Sequence, residues 1–163
     1  MDVPVVVGFD GSPESLAATD WAAREALRWR LPLELVQAWP WRQPHVLGSE
    51  DAERWGRRRL AGKEALFMAF AAAGSTAEGL AAVEHRVLAD ALGPGRERYP
   101  QVDVVEQLTP GSAARTLVEA AAQAGPLVVG RRTRRPAMGP SLGPVAQAAT
   151  RHASCPVVVV PHH

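Results

Sequence analysis

Residues 3–15, VPVVVGFDGSPES, join an apolar run directly to the start of a helix. The run at 3–9 is rich in β-branched residues and shows no polar–apolar alternation, which is typical of a strand buried on both faces. Ser12 suits the N-cap of a helix, and Pro13 suits its first position. We therefore predict a strand, a tight turn and a helix that continues over 15–30. Its predicted apolar side carries Leu16, Trp21, Ala23, Ala26 and Leu27.

The same unit recurs along the chain. Apolar runs at 33–39, 102–108, 127–130 and 156–160 predict four further strands, and helices are predicted at 112–124 and 144–152. Short buried strands that alternate with amphipathic helices imply right-handed crossovers and a parallel sheet. The predicted fold class is α/β, a doubly wound five-stranded parallel sheet in the order 3-2-1-4-5.

This order places the topological switch point between strands one and four. Ligands of open α/β sheets bind outside the carboxyl ends of the strands at such a point. In this chain those ends are residues 10–12 and 130–132. The ligand site is predicted there from the strand order alone.

The connection between strands two and three, residues 42–95, is longer than one crossover helix needs. It contains a loop with Pro and Gly, a charged helical start and an Ala-rich block. We predict a crossover helix with a break near Gly74 and an added turn. A partner-binding insertion is the alternative.

Composition narrows the class of protein. The chain has 163 residues, about one domain, with 18 Lys and Arg against 17 Asp and Glu, a net charge of +1. A protein that coats nucleic acid would carry a strong basic excess. No apolar stretch approaches the roughly 18 residues of a membrane span, and no basic segment of a signal peptide precedes the first strand. We expect a single cytoplasmic domain over 1–163, with neither nucleic-acid nor membrane partners. A lone Cys155 excludes an internal disulfide and argues for a packed thiol.

Asp10 is the first candidate site residue, because it follows the buried strand at the predicted switch point. A carboxylate there can accept a hydrogen bond from an adenine or ribose donor, or take part in metal binding beside phosphates. It can equally accept from the free N–H groups of the turn and the helix start. The local sequence leaves both interpretations open.

The loop over 130–144, GRRTRRPAMGPSLGP, is the second candidate site. Gly- and Pro-rich loops before a helix expose backbone N–H groups to anions, and the helix dipole adds to the attraction. Four arginines in the loop supply further positive charge for phosphates. A solvated basic turn is the alternative interpretation.

Three blocks of the chain resemble the universal stress protein (Usp) family. They are VVVGFDGSPES near the start, PGSAARTLVEAA in the middle, and LVVGRRTRR with LGPVAQAATRHASCPVVVVP at the end. The resemblance covers nearly the whole chain except 42–95. It implies the Rossmann-like fold of the adenine nucleotide alpha hydrolase type, and homodimers that pair through the last strand, here 156–160.

Many members of that family bind ATP through a loop with the pattern G-x-x-G, nine residues, then G-[S/T]. Gly130 and Gly143 match two of the glycines, but Thr133 replaces the second glycine and Pro144 replaces the final Ser or Thr. Thr133 tolerates positive φ poorly, and Pro144 removes a hydroxyl and a backbone N–H from the phosphate cradle. Losing such hydrogen bonds costs roughly 1.5–3 kcal/mol each.

The resemblance assigns roles to individual positions of this chain. Asp10 and Ala38 would border the adenine and ribose of ATP, bound with Mg²⁺. The positions implied to surround the nucleotide and its phosphates are Gly8, Gly130, Arg131, Arg132, Gly143, Pro144 and Val145.

Two functions remain open at this stage. The first is a bacterial stress-response module that binds ATP or a related adenine nucleotide as a regulatory ligand. The second is a dimeric adaptor of the same family that binds no nucleotide. No general base, catalytic lysine or arranged nucleophile is evident in the sequence, so catalysis beyond slow ATP hydrolysis is not predicted.

Overall fold

The computed structural model describes residues 3–39, 77–132 and 142–162. The chain divides into two compact units, one formed by 1–40 with 94–163 and the other by 41–93. Most of the crossover at 42–95, including the predicted break near Gly74, lies outside the described residues. The single-domain assignment therefore stays a prediction.

Strands and helices alternate through the described residues in the predicted order. The elements are β1 (Val5–Gly8), α1 (Pro13–Trp29), β2 (Leu33–Trp39), α2 (Ala77–Arg98), β3 (Val104–Pro110), α3 (Ala113–Ala121), β4 (Leu127–Arg132), α4 (Pro144–His152) and β5 (Val157–His162). The five strands form one sheet in the order β3-β2-β1-β4-β5, and every neighbouring pair is parallel. The predicted fold class is confirmed.

Four of the five strands have bounds that differ from the prediction, and β1 is shorter than the predicted run at 3–9. The third strand begins and ends two residues later than expected, because its register runs alongside β2 until Trp39 meets Pro110. Pro110 is tolerated there since β3 is an edge strand, with no described strand on its other side. The fourth and fifth strands each extend to pair Arg131 with Pro161 and Arg132 with His162.

The inward face of α1 agrees with the expected one in part, since Ala23 and Ala26 are buried as predicted. Leu16 and Leu27 were predicted on the apolar side, yet each is 39% exposed. The helix instead turns small residues toward the sheet, which lets its backbone approach the strands closely. The buried residues of α1 are Ser15, Ala18, Ala22, Ala23 and Ala26.

The opposite face of the sheet is covered by α3 and α4. Leu117, Ala121, Ala146 and Ala149 pack there in one apolar cluster with strand residues such as Val36. Cys155 packs against the same cluster. Burial raises the pKa of its thiol, as expected for a packed rather than an activated cysteine.

Helix α2 passes through Pro94 and ends at Arg98, beyond the predicted limit of the crossover at residue 95. Its end is tied to α1 by a polar cluster. The Tyr99 hydroxyl donates to Asp20 at 2.9 Å, and Arg98 donates to the same carboxylate at 3.2 Å. Burial, followed by this hydrogen bond, raises the pKa of Tyr99. Arg96 also pairs with Glu106 on β3.

In the second unit the described residues are 77–93 of α2. Val83, Val87, Leu88 and Leu92 are buried and recur at helical spacing. Among the described helices, none combines the length and the hydropathy that a membrane span requires.

Candidate functional site

A cleft of about 120 Å³ lies at the carboxyl ends of β1 and β4, where the sequence predicted the ligand site. Five segments build it: the β1–α1 turn, the end of β2, the start of α3, the end of β4 and the start of α4. The lining residues are Gly8, Phe9, Asp10, Ser12, Glu14, Ser15, Val36, Ala38, Ala113, Leu117, Val129, Gly130, Val145 and Ala146.

The β1–α1 turn has a defined backbone conformation. Gly11 adopts φ 77°, a left-handed conformation that glycine reaches without a steric penalty. The amide of Ser12 donates to Asp10 Oδ1 at 2.9 Å, and the amide of Ser15 donates to Ser12 Oγ at 3.2 Å. Ser12 is therefore the N-cap of α1, as predicted. Asp10 is exposed and one of its oxygens serves the turn, so the turn-stabilising interpretation holds at that atom.

Gly130 lies against the first turn of α1. A Cβ placed on Gly130 would meet the carbonyl group of Glu14 and lie 3.0 Å from the amide nitrogen of Ser15. Because both obstacles are backbone atoms, they cannot move aside as a flexible side chain would. The absence of a side chain at Gly130 is thus required by the packing of α1 on β4, independently of any ligand.

Apolar groups form the wall of the cleft on the β2 side. Val36 and Ala38 project from β2, and Leu117 projects from α3. Gly8 completes this wall, since a Cβ there would lie 2.9 Å from Leu117 Cδ1. Such a surface suits the flat, weakly polar face of a heterocyclic base.

The start of α4 contributes backbone donors. Gly143 is the N-cap without a side-chain cap, and Pro144 occupies the first turn. The amide of Gln147 donates to the Gly143 carbonyl at 2.9 Å, so the amides of Val145 and Ala146 precede the first intrahelical bond. Free amides at a helix N-terminus are suitable donors to an anion.

The charged side chains in the described lining are both acidic. Asp10 and Glu14 line the cleft, and no Lys, Arg or His belongs to its described lining. Arg131 directly follows Gly130 but is not a lining residue. Its Nε atom is buried and has no hydrogen-bond acceptor among the described residues.

The structure brings five of the predicted site residues together in the cleft. These are Gly8, Asp10, Ala38, Gly130 and Val145. Gly143 and Pro144 lie beside it as the exposed start of α4, outside the lining. Arg132 ends β4 with a side chain outside the described part, and Thr133 lies outside the described residues.

Sequence reasoning did not name the other nine lining residues as site residues, among them Glu14 and Leu117. Glu14 follows the predicted N-cap by two residues, and this spacing places it in the first turn, beside the loop that ends β1. Leu117 lies one helical turn into α3, and only the packing of α3 against Gly8 shows that it reaches the cleft.

The strand order and the cleft define a doubly wound α/β domain with a crevice at the switch point. The model of the universal stress protein family matches residues 3–161, and the chain belongs to that family. Two universal stress proteins of Mycobacterium tuberculosis are 30% identical over 158 residues and 35% identical over 156 residues. Each alignment covers 96% of this chain but 47% and 44% of the respective relative, so the chain spans about half their length.

Solved structures of the family share the fold. A universal stress protein from Archaeoglobus fulgidus aligns with a TM-score of 0.65 at 20% identity, over 98% of this chain and 99% of its own. Its counterpart in complex with dAMP aligns at 0.60 and 18% identity, over 97% of each chain. A family member from Arabidopsis thaliana with AMP bound aligns at 0.52 and 15% identity, over 98% of this chain and 93% of its own.

Proposed function

We propose that this protein binds an adenine nucleotide in the cleft at the switch point and acts as a stress-response module regulated by that ligand. The observation that carries the proposal is the composition of the cleft: an apolar wall, an acceptor at Asp10 and helix amides at α4 meet in one crevice. The nucleotide complexes of the Archaeoglobus and Arabidopsis proteins support the same ligand class. The proposal covers ATP with Mg²⁺ and adenine nucleotides with fewer phosphates.

Each part of the cleft matches one part of the ligand. The base would lie against Val36, Ala38 and Leu117, where its burial removes apolar surface from water. The carboxylate of Asp10 would accept a hydrogen bond from the ribose or the exocyclic amine. The amides of Val145 and Ala146 would donate to a phosphate, aided by the dipole of α4.

The proposal is tested by identifying what the purified protein carries and what it binds. Denaturation should release a compound with the ultraviolet spectrum and mass of an adenine nucleotide, or calorimetry on emptied protein should show that one binds. Asp10→Asn retains an oxygen acceptor for the Ser12 amide but removes the charge, and Asp10→Ala removes both. We expect Asp10→Ala to weaken binding about tenfold, as for the loss of one hydrogen bond to a charged group.

The matched control is Asp103→Ala, because Asp103 is exposed and precedes β3 at the opposite, amino edge of the sheet. It should bind like the wild type. If both variants lost the same amount of nucleotide affinity, the nucleotide would bind outside the cleft. A protein that releases no ligand and binds no adenine compound would instead be the adaptor that the sequence left open.

A further inference from the structure

Leu117 belongs both to the apolar wall of the cleft and to the core behind that wall. Its side chain is 4% exposed, and it lies in the buried cluster that contains Val36 and Ala121. It also lines the cleft. Because protein cores are close-packed, the cluster leaves Leu117 little room on its inner side. The open space that Leu117 borders is the cleft.

Gly8 lets Leu117 lie close to the sheet. The three atoms nearest to a Cβ placed on Gly8 all belong to Leu117, and the closest is Cδ1 at 2.9 Å. These atoms end a flexible side chain, in contrast to the backbone atoms that face Gly130. A methyl group at Gly8 would therefore displace Leu117 rather than the backbone. Since the core is filled, the displacement would narrow the cleft.

The position of Leu117 limits the size of a base that binds against the apolar wall. Val36 and Ala38 complete that wall on β2, and a base resting on all three side chains has Leu117 directly behind one of its edges. A substituent on that edge would have to move Leu117 into the filled core. One additional carbon in an apolar pocket changes affinity by about tenfold or more.

We infer that Leu117 sets the base specificity of the cleft, which selects adenine ligands with an unsubstituted base over ligands with an alkylated base. Gly8 sets how far Leu117 stands from the ligand. The inference rests on the proposed function and names a specificity-determining residue for it. Leu117 acts through its shape and not through a hydrogen bond.

The test compares AMP with three derivatives that carry one methyl group, at N6, C2 or C8 of the base. Calorimetry should show that the wild type binds at least one derivative about tenfold more weakly than AMP. Leu117→Ala should reduce that penalty to less than about threefold, because the cleft then extends into the space of the lost side chain. A penalty that stays unchanged in the variant arises at another part of the cleft. The ATP series replaces the AMP series if the wild type binds only ATP.

A second variant changes the same contact in the opposite direction. Gly8→Ala should weaken binding of unsubstituted AMP about tenfold, because Leu117 then narrows the cleft. Combined with Leu117→Ala, the Gly8→Ala substitution should change AMP binding less than about twofold, since the new methyl group fills the vacated space. A double-mutant cycle measures this coupling. Independent effects of the two substitutions would overturn the inference.

Leu35→Ala is the matched control, because it removes the same atoms from a fully buried leucine of β2 that lies outside the lining. It should leave the methyl penalties unchanged. If the wild type binds all derivatives as tightly as AMP, or if Leu35→Ala relaxes the penalties as much as Leu117→Ala, the inference fails while nucleotide binding stands. Should Leu117→Ala fail to fold, Leu117→Val must reduce the same penalty. Binding of neither AMP nor ATP to the wild type would overturn the proposed function together with the inference.

Discussion

At the scale of single residues, Gly130 shows how one position can satisfy two separate requirements. The family resemblance implies that Gly130 belongs to a phosphate-binding loop. The structure adds a second reason, because the backbone of Glu14 and Ser15 occupies the space that a Cβ would need. A substitution at Gly130 therefore tests the packing of α1 before it tests the binding of any ligand.

Gly130→Ala should lower the free energy of unfolding by about 1–3 kcal/mol or more, as for overpacking against atoms that cannot move. Thermal or urea unfolding without ligand measures it. Gly95→Ala is the control, since Gly95 lies inside α2 with no atom within 4 Å of a Cβ. That variant should be neutral or more stable by about 0.5–1 kcal/mol, because alanine favours the helix. A Gly130→Ala protein as stable as the wild type would show that α1 can move away from β4.

At the scale of an element, α1 packs on the sheet through small residues. Ala18, Ala22 and Ala26 are fully buried, whereas Leu16 and Leu27 lie on the exposed side. A hydrophobicity pattern predicts that the leucines face the sheet, because a leucine buries more apolar area than an alanine. Close packing of helix on strands favours alanine instead, since each buried side chain must fit the space that the sheet leaves.

Ala22→Leu should destabilise the fold by about 1–3 kcal/mol, because three extra carbon atoms must enter a filled interface. Leu16→Ala, on the exposed side of the same helix, should cost less than about 1 kcal/mol. Chemical unfolding of both variants compares the two faces directly. If Leu16→Ala destabilised the fold more than Ala22→Leu, the buried face of α1 would instead be the one that carries the leucines.

At the scale of the whole molecule, the sheet has two edges of different character. The strand β3 exposes one valine, Val105, beside the polar Gln107, and ends in Pro110. The strand β5 carries the four valines 157–160, which are only partly buried although α1 and α4 contact it. An apolar edge with unpaired backbone groups favours association with a second strand. We propose that two copies of the chain pair there across a two-fold axis.

Val158→Lys and Val159→Lys should convert a dimer into a monomer, because a charge in an apolar strand pair has no partner. Sedimentation measures the mass, and thermal unfolding confirms that each variant is folded. Gln107→Lys places the same charge on the other edge and should leave the dimer intact. A wild type that sediments as a monomer, or a lysine variant of β5 that stays dimeric, would remove β5 from the interface.

The features that the sequence predicted correctly depend on local patterns. Apolar runs, turn residues and helix caps such as Ser12 indicate elements over stretches of ten residues or fewer. Their alternation limits the topology, because crossovers between parallel strands have a preferred hand. The strand order and the position of the cleft could therefore be predicted from the sequence without knowledge of tertiary contacts. The observed bounds of α4 also match the predicted ones.

By itself the sequence determined the family, the parallel sheet and the edge of that sheet where the cleft lies. Only the tertiary structure decided which side of α1 faces the strands, where β3 and β4 end, and why Gly130 has no side chain. It also decided that Glu14 lines the cleft. The physical reason is the same in each case. These features depend on atoms that approach from distant parts of the chain, such as Gly130 against Glu14, and no local pattern of residue types encodes that approach.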